Sequence, residues 1–314
     1  MSPARFVFLE VLSLTIMHKA SKFFSSIIYM KEVSEGYNAK VRRLFPIGKM
    51  DQLDPFLLFD LFSGKLPGGF PDHPHRGMET VTYLLQGKTL HEDFKGHKGT
   101  LTAGAVQWMT AGKGIVHSEI PASDKEDSVG YQLWINLPKD KKMVEPRYQE
   151  FAKEQIPEHD EPGVKIKVIA GKFKNTNGGV ALNLPINYYV YELEEGASSE
   201  YIFPPGWNGF FVVSHGEIQA GEDHIKEHHG AILHPTKEEV KIPLKAVKKS
   251  TFSVITGKPL NEPMARAGPF VMNTHEEIEQ AYRDYSLAQN GFEHRKGWRS
   301  ENSKLIKDFD AEDD

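Results

Sequence analysis

The chain has 314 residues, enough for one large or two ordinary domains. Hydrophobic residues make up 39% and charged residues 26%, so it can bury true cores, and a net charge of −5 argues against a surface that grips nucleic acid by itself. It contains no cysteine, which excludes disulfides, iron–sulfur clusters and thiol nucleophiles and fits an intracellular site.

Residues 1–30 read as an N-terminal extension, expected to be poorly ordered. Residues 6–17 are apolar apart from Glu10, and 23–30 are largely apolar again after His18, Lys19 and Lys22. Glu10 and the lack of a small-x-small cleavage site weigh against a secretory signal, and Met30 is an alternative start. No stretch reaches the roughly 18 uninterrupted apolar residues of a membrane span. Beyond residue 30 the chain reads as short strands bounded by Gly, Pro, Asn and Asp, at 80–85, 89–94, 105–109, 131–137, 164–169, 188–193, 210–214, 231–233 and 251–255. The apolar run 53–60 is expected to pack as a strand or turn against the first barrel. A late helix is predicted over 274–290: Thr274 and Glu277 form a capping box, Ile278, Ala281, Tyr282 and Tyr285 form a stripe, and Gly291 ends it. An acidic tail, 301–314, follows.

The two halves echo each other. Residues 81–87 (VTYLLQG) resemble 210–216 (FFVVSHG), and Gly104-Ala105-Val106 after the first resembles Gly230-Ala231-Ile232 after the second. The pattern predicts an all-β chain of two tandem barrels, 31–145 and 146–300, with a boundary in the Pro- and charge-rich stretch 138–163.

The chemistry concentrates in the first half. His73 and His75, two apart on an extended chain, point to one face, and Pro74 keeps His73 extended. His117 and Glu119 repeat the device. Two such pairs aimed at one point would suit iron, manganese, nickel, cobalt or copper, since imidazole and carboxylate are offered without thiolate. Glu79 competes with Glu119, because an unbroken strand would turn it inward with His73 and His75, although Gly77 interrupts. His91 and His97 read as solvated residues of a polar hairpin. Offsets from Gly216 and Gly230 place Ile202, Pro204, Asn208, Pro243 and Lys245 where the first half has these groups. The second barrel is therefore expected to hold no metal, with His224, His228, His229 and His234 at the surface.

His-x-His-x3-Glu followed by Gly87 resembles the first cupin motif, and Gly104…Gly112…His117 resembles the second, with its His two residues late. Longer text is more specific. Residues 53–60, the run from Pro67 to Gly77 (PGGFPDHPHRG), 107–112 (QWMTAG) and 268–274 (GPFVMNT) resemble the pirin family over roughly residues 31–300. Residues 6–13 also look like a pirin first strand, so 14–30 would be an insertion. The resemblance implies a bicupin with one Fe(II) per chain held by His73, His75, His117 and Glu119; other divalent first-row metals remain possible. It leaves Glu79 beside the metal, where either Glu119 or Glu79 would accept a substrate proton.

The resemblance implies two roles. One is quercetin 2,3-dioxygenase activity, with a flavonol chelated through its 3-hydroxyl and 4-keto oxygens and cleaved by O2. The other is an iron-dependent nuclear transcriptional coregulator, acting through a transcription-factor protein partner in nucleus and cytoplasm. The net charge suits a protein partner better than direct nucleic-acid binding. A deep cavity over the metal would favour the enzyme, and a closed site the regulator.

Overall fold

Two seven-stranded antiparallel sheets pack face to face at the centre of the molecule, each backed by a four-stranded sheet on its outer side. The computed structural model describes residues 22–306. In the first half the large sheet runs Arg147–Phe151, Val106–Thr110, Met78–Gln86, Ser128–Asn136, Phe56–Gly64, Ala39–Phe45, Glu32–Glu35. Its smaller partner runs Phe70–His75, Ile115–Pro121, Lys88–Asp93, Lys98–Thr102. The second half repeats this plan, with His229–Leu233, Asn208–His215, Ser250–Gly257, Ile186–Leu193 and Val164–Ala170 in its large sheet. The echo of 81–87 in 210–216 thus marks equivalent strands of two barrels. The apolar run 53–60 becomes the Phe56–Gly64 strand.

Alternation along the strands builds three layers. Phe45, Phe56 and Phe59 of the first half surround Phe210 of the second, with ring centroids 5.1–5.4 Å apart. Side chains on the opposite faces fill each barrel. In the second barrel these are apolar and aromatic, including Tyr189, Tyr191, Tyr201, Phe203, Phe211 and Phe252.

The barrels exchange ends. Phe24–Tyr29 is a strand paired with His229–Leu233, where it occupies the place that Arg147–Phe151 holds in the first barrel. Phe24 is buried and meets the Phe211 ring edge-on at 5.4 Å. The expectation that residues 1–30 form a poorly ordered extension does not hold for 24–29: an edge strand with one buried face gains ladder hydrogen bonds and apolar burial together. Residues 6–13, compared above with a first strand, lie outside the described residues. The first barrel also extends past residue 145, because its own edge strand is Arg147–Phe151.

The C-terminal segment crosses back onto the first barrel. The hairpin Ala265–Ala267/Phe270–Met272 and the helix His275–Leu287 share a core with Phe94, Met109, Ile115 and Val116. By packing the helix belongs to the first barrel rather than to the 146–300 unit in which the sequence places it, and it ends three residues before the expected 290 because Ala288, not Gly291, takes the left-handed cap. Its capping box, Thr274 with Glu277, is present. Residues 302–305, expected to be tail, form a 3-10 turn with Ser303 and Ile306 buried, and 307–314 lie outside the described residues. Among the described residues no helix is long and apolar enough to cross a membrane.

Candidate metal centre

Pairing between Phe70–His75 and Ile115–Pro121 sets His73 opposite His117. Cross-strand partners lie on the same face, so both imidazoles enter the first barrel, and His75 joins them two residues on. Ligating nitrogens of His73, His75 and His117 lie within 4.8 Å of one another. The Nε2 atoms of His73 and His117 are 3.0 Å apart. The three rings meet at angles of 52–82°, like blades around a point.

Their environment disfavours the protonated form. Burial lowers the pKa of His73, and burial with the neighbouring histidines lowers those of His75 and His117 further. His73 Nδ1 donates to the Pro71 carbonyl at 2.8 Å, leaving Nε2 a free lone pair. Both ring nitrogens of the fully buried His75, and Nδ1 of His117, have no hydrogen-bond partner. Buried polar nitrogens are normally satisfied, so three converging imidazoles with orphaned nitrogens fit a metal ion.

Glu119 stands apart from this trio. A register shift between His117 and Glu119 offsets it from the 70–75 strand, and its carboxylate turns to Thr82 Oγ1 at 3.0 Å and Gln132 Nε2 at 3.2 Å. Burial pushes its pKa up to about 7 against those hydrogen bonds. It shares with His73 the wall of a cavity of about 410 Å³. Val41, Leu58, Phe62, Phe70 and Trp134 supply apolar walls, and Glu35, Arg43, Asp60 and Arg266 line it with charge. Trp134 also meets the His75 ring edge-on at 5.1 Å.

Glu79 does not reach the site. It faces away from the barrel interior, accepting from Thr110 Oγ1 and Asn183 Nδ2, both at 2.7 Å. Parity does not carry from His75 to Glu79, because Gly77 adopts φ +76 between the two strands. A Cβ there would sit 2.0 Å from the Val271 carbonyl, so only glycine fits and the strand must break. His91, read as solvated, is buried opposite Glu119 on the adjacent strand. Thr82, Gln132 and Trp134 were missed. Thr80 and Thr82, polar positions inside an apolar strand, were the available signal.

The ends of the chain hold these strands in place. Asp72, beside His73, accepts from the Ser300 amide and the Ser303 hydroxyl. Arg76 is fully buried and donates to Asp284 Oδ2 at 2.8 Å, to the Asn290 carbonyl at 2.6 Å and to the Lys113 carbonyl at 2.7 Å. The second barrel replaces the trio. By strand position Tyr201 and Phe203 stand where His73 and His75 do, and Tyr201 pairs with Ile242 as His73 pairs with His117. The sequence offsets, at Ile202 and Pro243, were one residue out, and Ile202 is exposed.

Comparison with known proteins gives this arrangement relatives. The family model described as Pirin matches residues 38–135, and Pirin C-terminal cupin domain matches 188–291. The chain is 46% identical to Pirin of Homo sapiens over 286 residues, 90% of this chain and 98% of that protein. It is 46% identical to a Pirin-like protein of Solanum lycopersicum, over 85% of this chain and 92% of that protein. A solved structure of quercetin 2,3-dioxygenase from Acinetobacter baumannii superposes with a TM-score of 0.79 at 34% identity, covering 86% of this chain and 98% of that one. A bacterial pirin from Escherichia coli in complex with nickel(II) shares the fold, with a TM-score of 0.63 at 20% identity over 74% of this chain and 99% of that one. The chain belongs to the pirin family, and its two barrels are cupin domains.

Proposed function

We propose that this pirin-family chain is an iron-dependent quercetin 2,3-dioxygenase, and that His73, His75, His117 and Glu119 hold its metal. The observation that carries the reading is the cavity of about 410 Å³ beside His73 and Glu119. That volume suits a ligand of flavonol size, and the lining joins apolar walls to polar and charged side chains, among them His73, Glu119 and Gln132. The neighbour named quercetin 2,3-dioxygenase supports it as well.

Bound Fe(II) would supply Lewis acidity toward the 3-hydroxyl and 4-keto oxygens and redox exchange with O2. The chain's own residues do the rest. Glu119 accepts the proton of the flavonol 3-hydroxyl, with Thr82 and Gln132 orienting its carboxylate. Leu58, Phe62, Phe70 and Trp134 hold the flat rings and exclude water. The central ring opens, two oxygen atoms enter the product, and one carbon leaves as carbon monoxide.

The test is to load the full chain with Fe(II) and follow quercetin, O2 and carbon monoxide together. Coupled consumption and release are expected, lost in His75→Ala and poorly restored by zinc. Equal quercetin loss in metal-free protein would mean spontaneous oxidation. Absence of turnover in fully loaded protein would favour the other role, an iron-dependent coregulator whose partner is a nuclear protein.

A further inference from the structure

A second cluster of metal-binding side chains lies at the seam where the two sheets of the first barrel leave an open edge. His91 sits on Lys88–Asp93, His97 on the turn that follows, and Glu150 on Arg147–Phe151, the edge strand of the opposite sheet. One ligand atom from each lies within 4.8 Å of the others. His91 Nε2 is 3.1 Å from Glu150 Oε1, and His97 Nε2 is 3.8 Å from Oε2.

Each group is held from behind. Gln107 Nε2 donates to Glu150 Oε1 at 2.6 Å. Asp93 Oδ1 accepts from the amides of Lys95 and His97, both at 2.9 Å, which fixes the turn that carries His97. The Tyr148 ring stacks on the His97 ring, 4.1 Å between centroids and 12° from parallel. Support of this kind orients ligands at metal sites. Two further features bear on the cluster. The cross-strand partner of His91 is Gly99, and a Cβ there would fall 2.6 Å from His91 Nε2, so only glycine at 99 admits the imidazole in the position that meets Glu150. Nδ1 of His97 is buried without a partner. His91 is buried, whereas the side chains of His97 and Glu150 are 36% and 34% exposed, so the cluster opens to solvent on one side.

We propose that His91, His97 and Glu150 form a second divalent-cation site, of the zinc class, that clips the Lys88–Thr102 hairpin to the edge strand Arg147–Phe151. Two imidazoles and one carboxylate without thiolate are a borderline donor set, and the exposed side leaves a position for water. The ion would bridge residues on two different sheets, so its binding free energy would add to the stability of the folded barrel.

The test is Zn(II) stoichiometry by equilibrium dialysis of the metal-stripped full chain. Two equivalents are expected for the unmodified chain, and one for each of His97→Ala and Glu150→Gln. Both substitutions lie at the half-exposed mouth, which limits their effect on folding. A thermal melt supplies a second reading: Zn(II) should raise the Tm of His75→Ala, and the rise should vanish when Glu150→Gln is added. One equivalent in the unmodified chain, or two in both single variants, would show an ordinary His–Glu contact and overturn the site.

Discussion

His73 and His117 point their Nε2 atoms at one another across 3.0 Å, and His73 uses its Nδ1–H to donate a hydrogen bond to the Pro71 carbonyl. Burial disfavours protonation of either ring, so the lone pair of His73 Nε2 is committed to whatever lies between them. Replacing either residue with alanine should remove one equivalent of bound iron or nickel, as should His75→Ala. Glu119→Gln should weaken metal affinity by about 10- to 100-fold. Glu79→Gln should leave the metal content unchanged, because its carboxylate faces Thr110 and Asn183. Metal analysis after dialysis separates these outcomes, and full occupancy in His117→Ala would refute the assignment.

The cavity predicts a different behaviour for its apolar wall. Leu58→Trp fills space beside Glu119 and His73 without touching the histidines. The metal content should stay at the unmodified level while KM for a flavonol rises by about tenfold or more. Unchanged KM would place the substrate elsewhere.

Arg76 and Asp284 tie the C-terminal helix to the strand that carries His75. Burial opposes ionisation of Asp284, but hydrogen bonds from Arg76, Asn290, Gln280 and Gln289 hold its pKa below the ordinary value. Asp284→Ala leaves the Arg76 guanidinium buried without its counter-charge and should cost about 3–5 kcal/mol. Because the folded pKa is depressed, the contribution is complete above ~4 and fades as pH falls through the lower folded value. Urea unfolding at pH 7 and at acid pH should show the difference between the two chains shrinking on acidification.

Lys142 gives a pH dependence of the same sign at the alkaline end of the scale. Its ammonium is buried against the Gly77 carbonyl at 2.9 Å, Asn136 Oδ1 at 2.5 Å and the Val271 carbonyl at 3.1 Å, and burial brings its pKa down to about 8. Between that value and the unfolded one near ~10.4 the unfolded chain binds more protons, so folding becomes more favourable as pH rises. The slope from this residue is at most about 1.4 kcal/mol per pH unit. Lys142→Met should flatten the stability profile between pH 8 and 10, which chemical denaturation across that window measures.

The N-terminal strand predicts that a chain starting at Met30 is damaged. It would lack the Phe24–Tyr29 ladder and leave the His229–Leu233 edge unpaired. Lower Tm and self-association through that edge are expected. Phe24→Ala in the full chain should cost about 3 kcal/mol. A Met30 start with unchanged Tm and a monomeric profile would contradict the strand's role.

The sequence by itself determined the all-β class, the duplication, the capped helix and the three-histidine centre. Each rests on local spacing: period-two alternation, a glycine ending equivalent strands, Thr274 three before Glu277, and His73, His75 and His117 with the same parity as their strand neighbours. Only the tertiary structure decided what depends on distant chain. Phe24–Tyr29 gives no sign in sequence that its partner lies some 200 residues on, and the helix after the second barrel shows nothing of its packing on the first. Glu79 was misplaced because parity holds only while the strand is continuous, and Gly77 must break it under the Val271 carbonyl, 194 residues away. The cavity, and the meeting of His91 and His97 with Glu150, likewise arise where strands far apart in sequence close a barrel. Side-chain direction is a local property of backbone geometry, whereas the choice of neighbour is set by which buried surfaces complement one another.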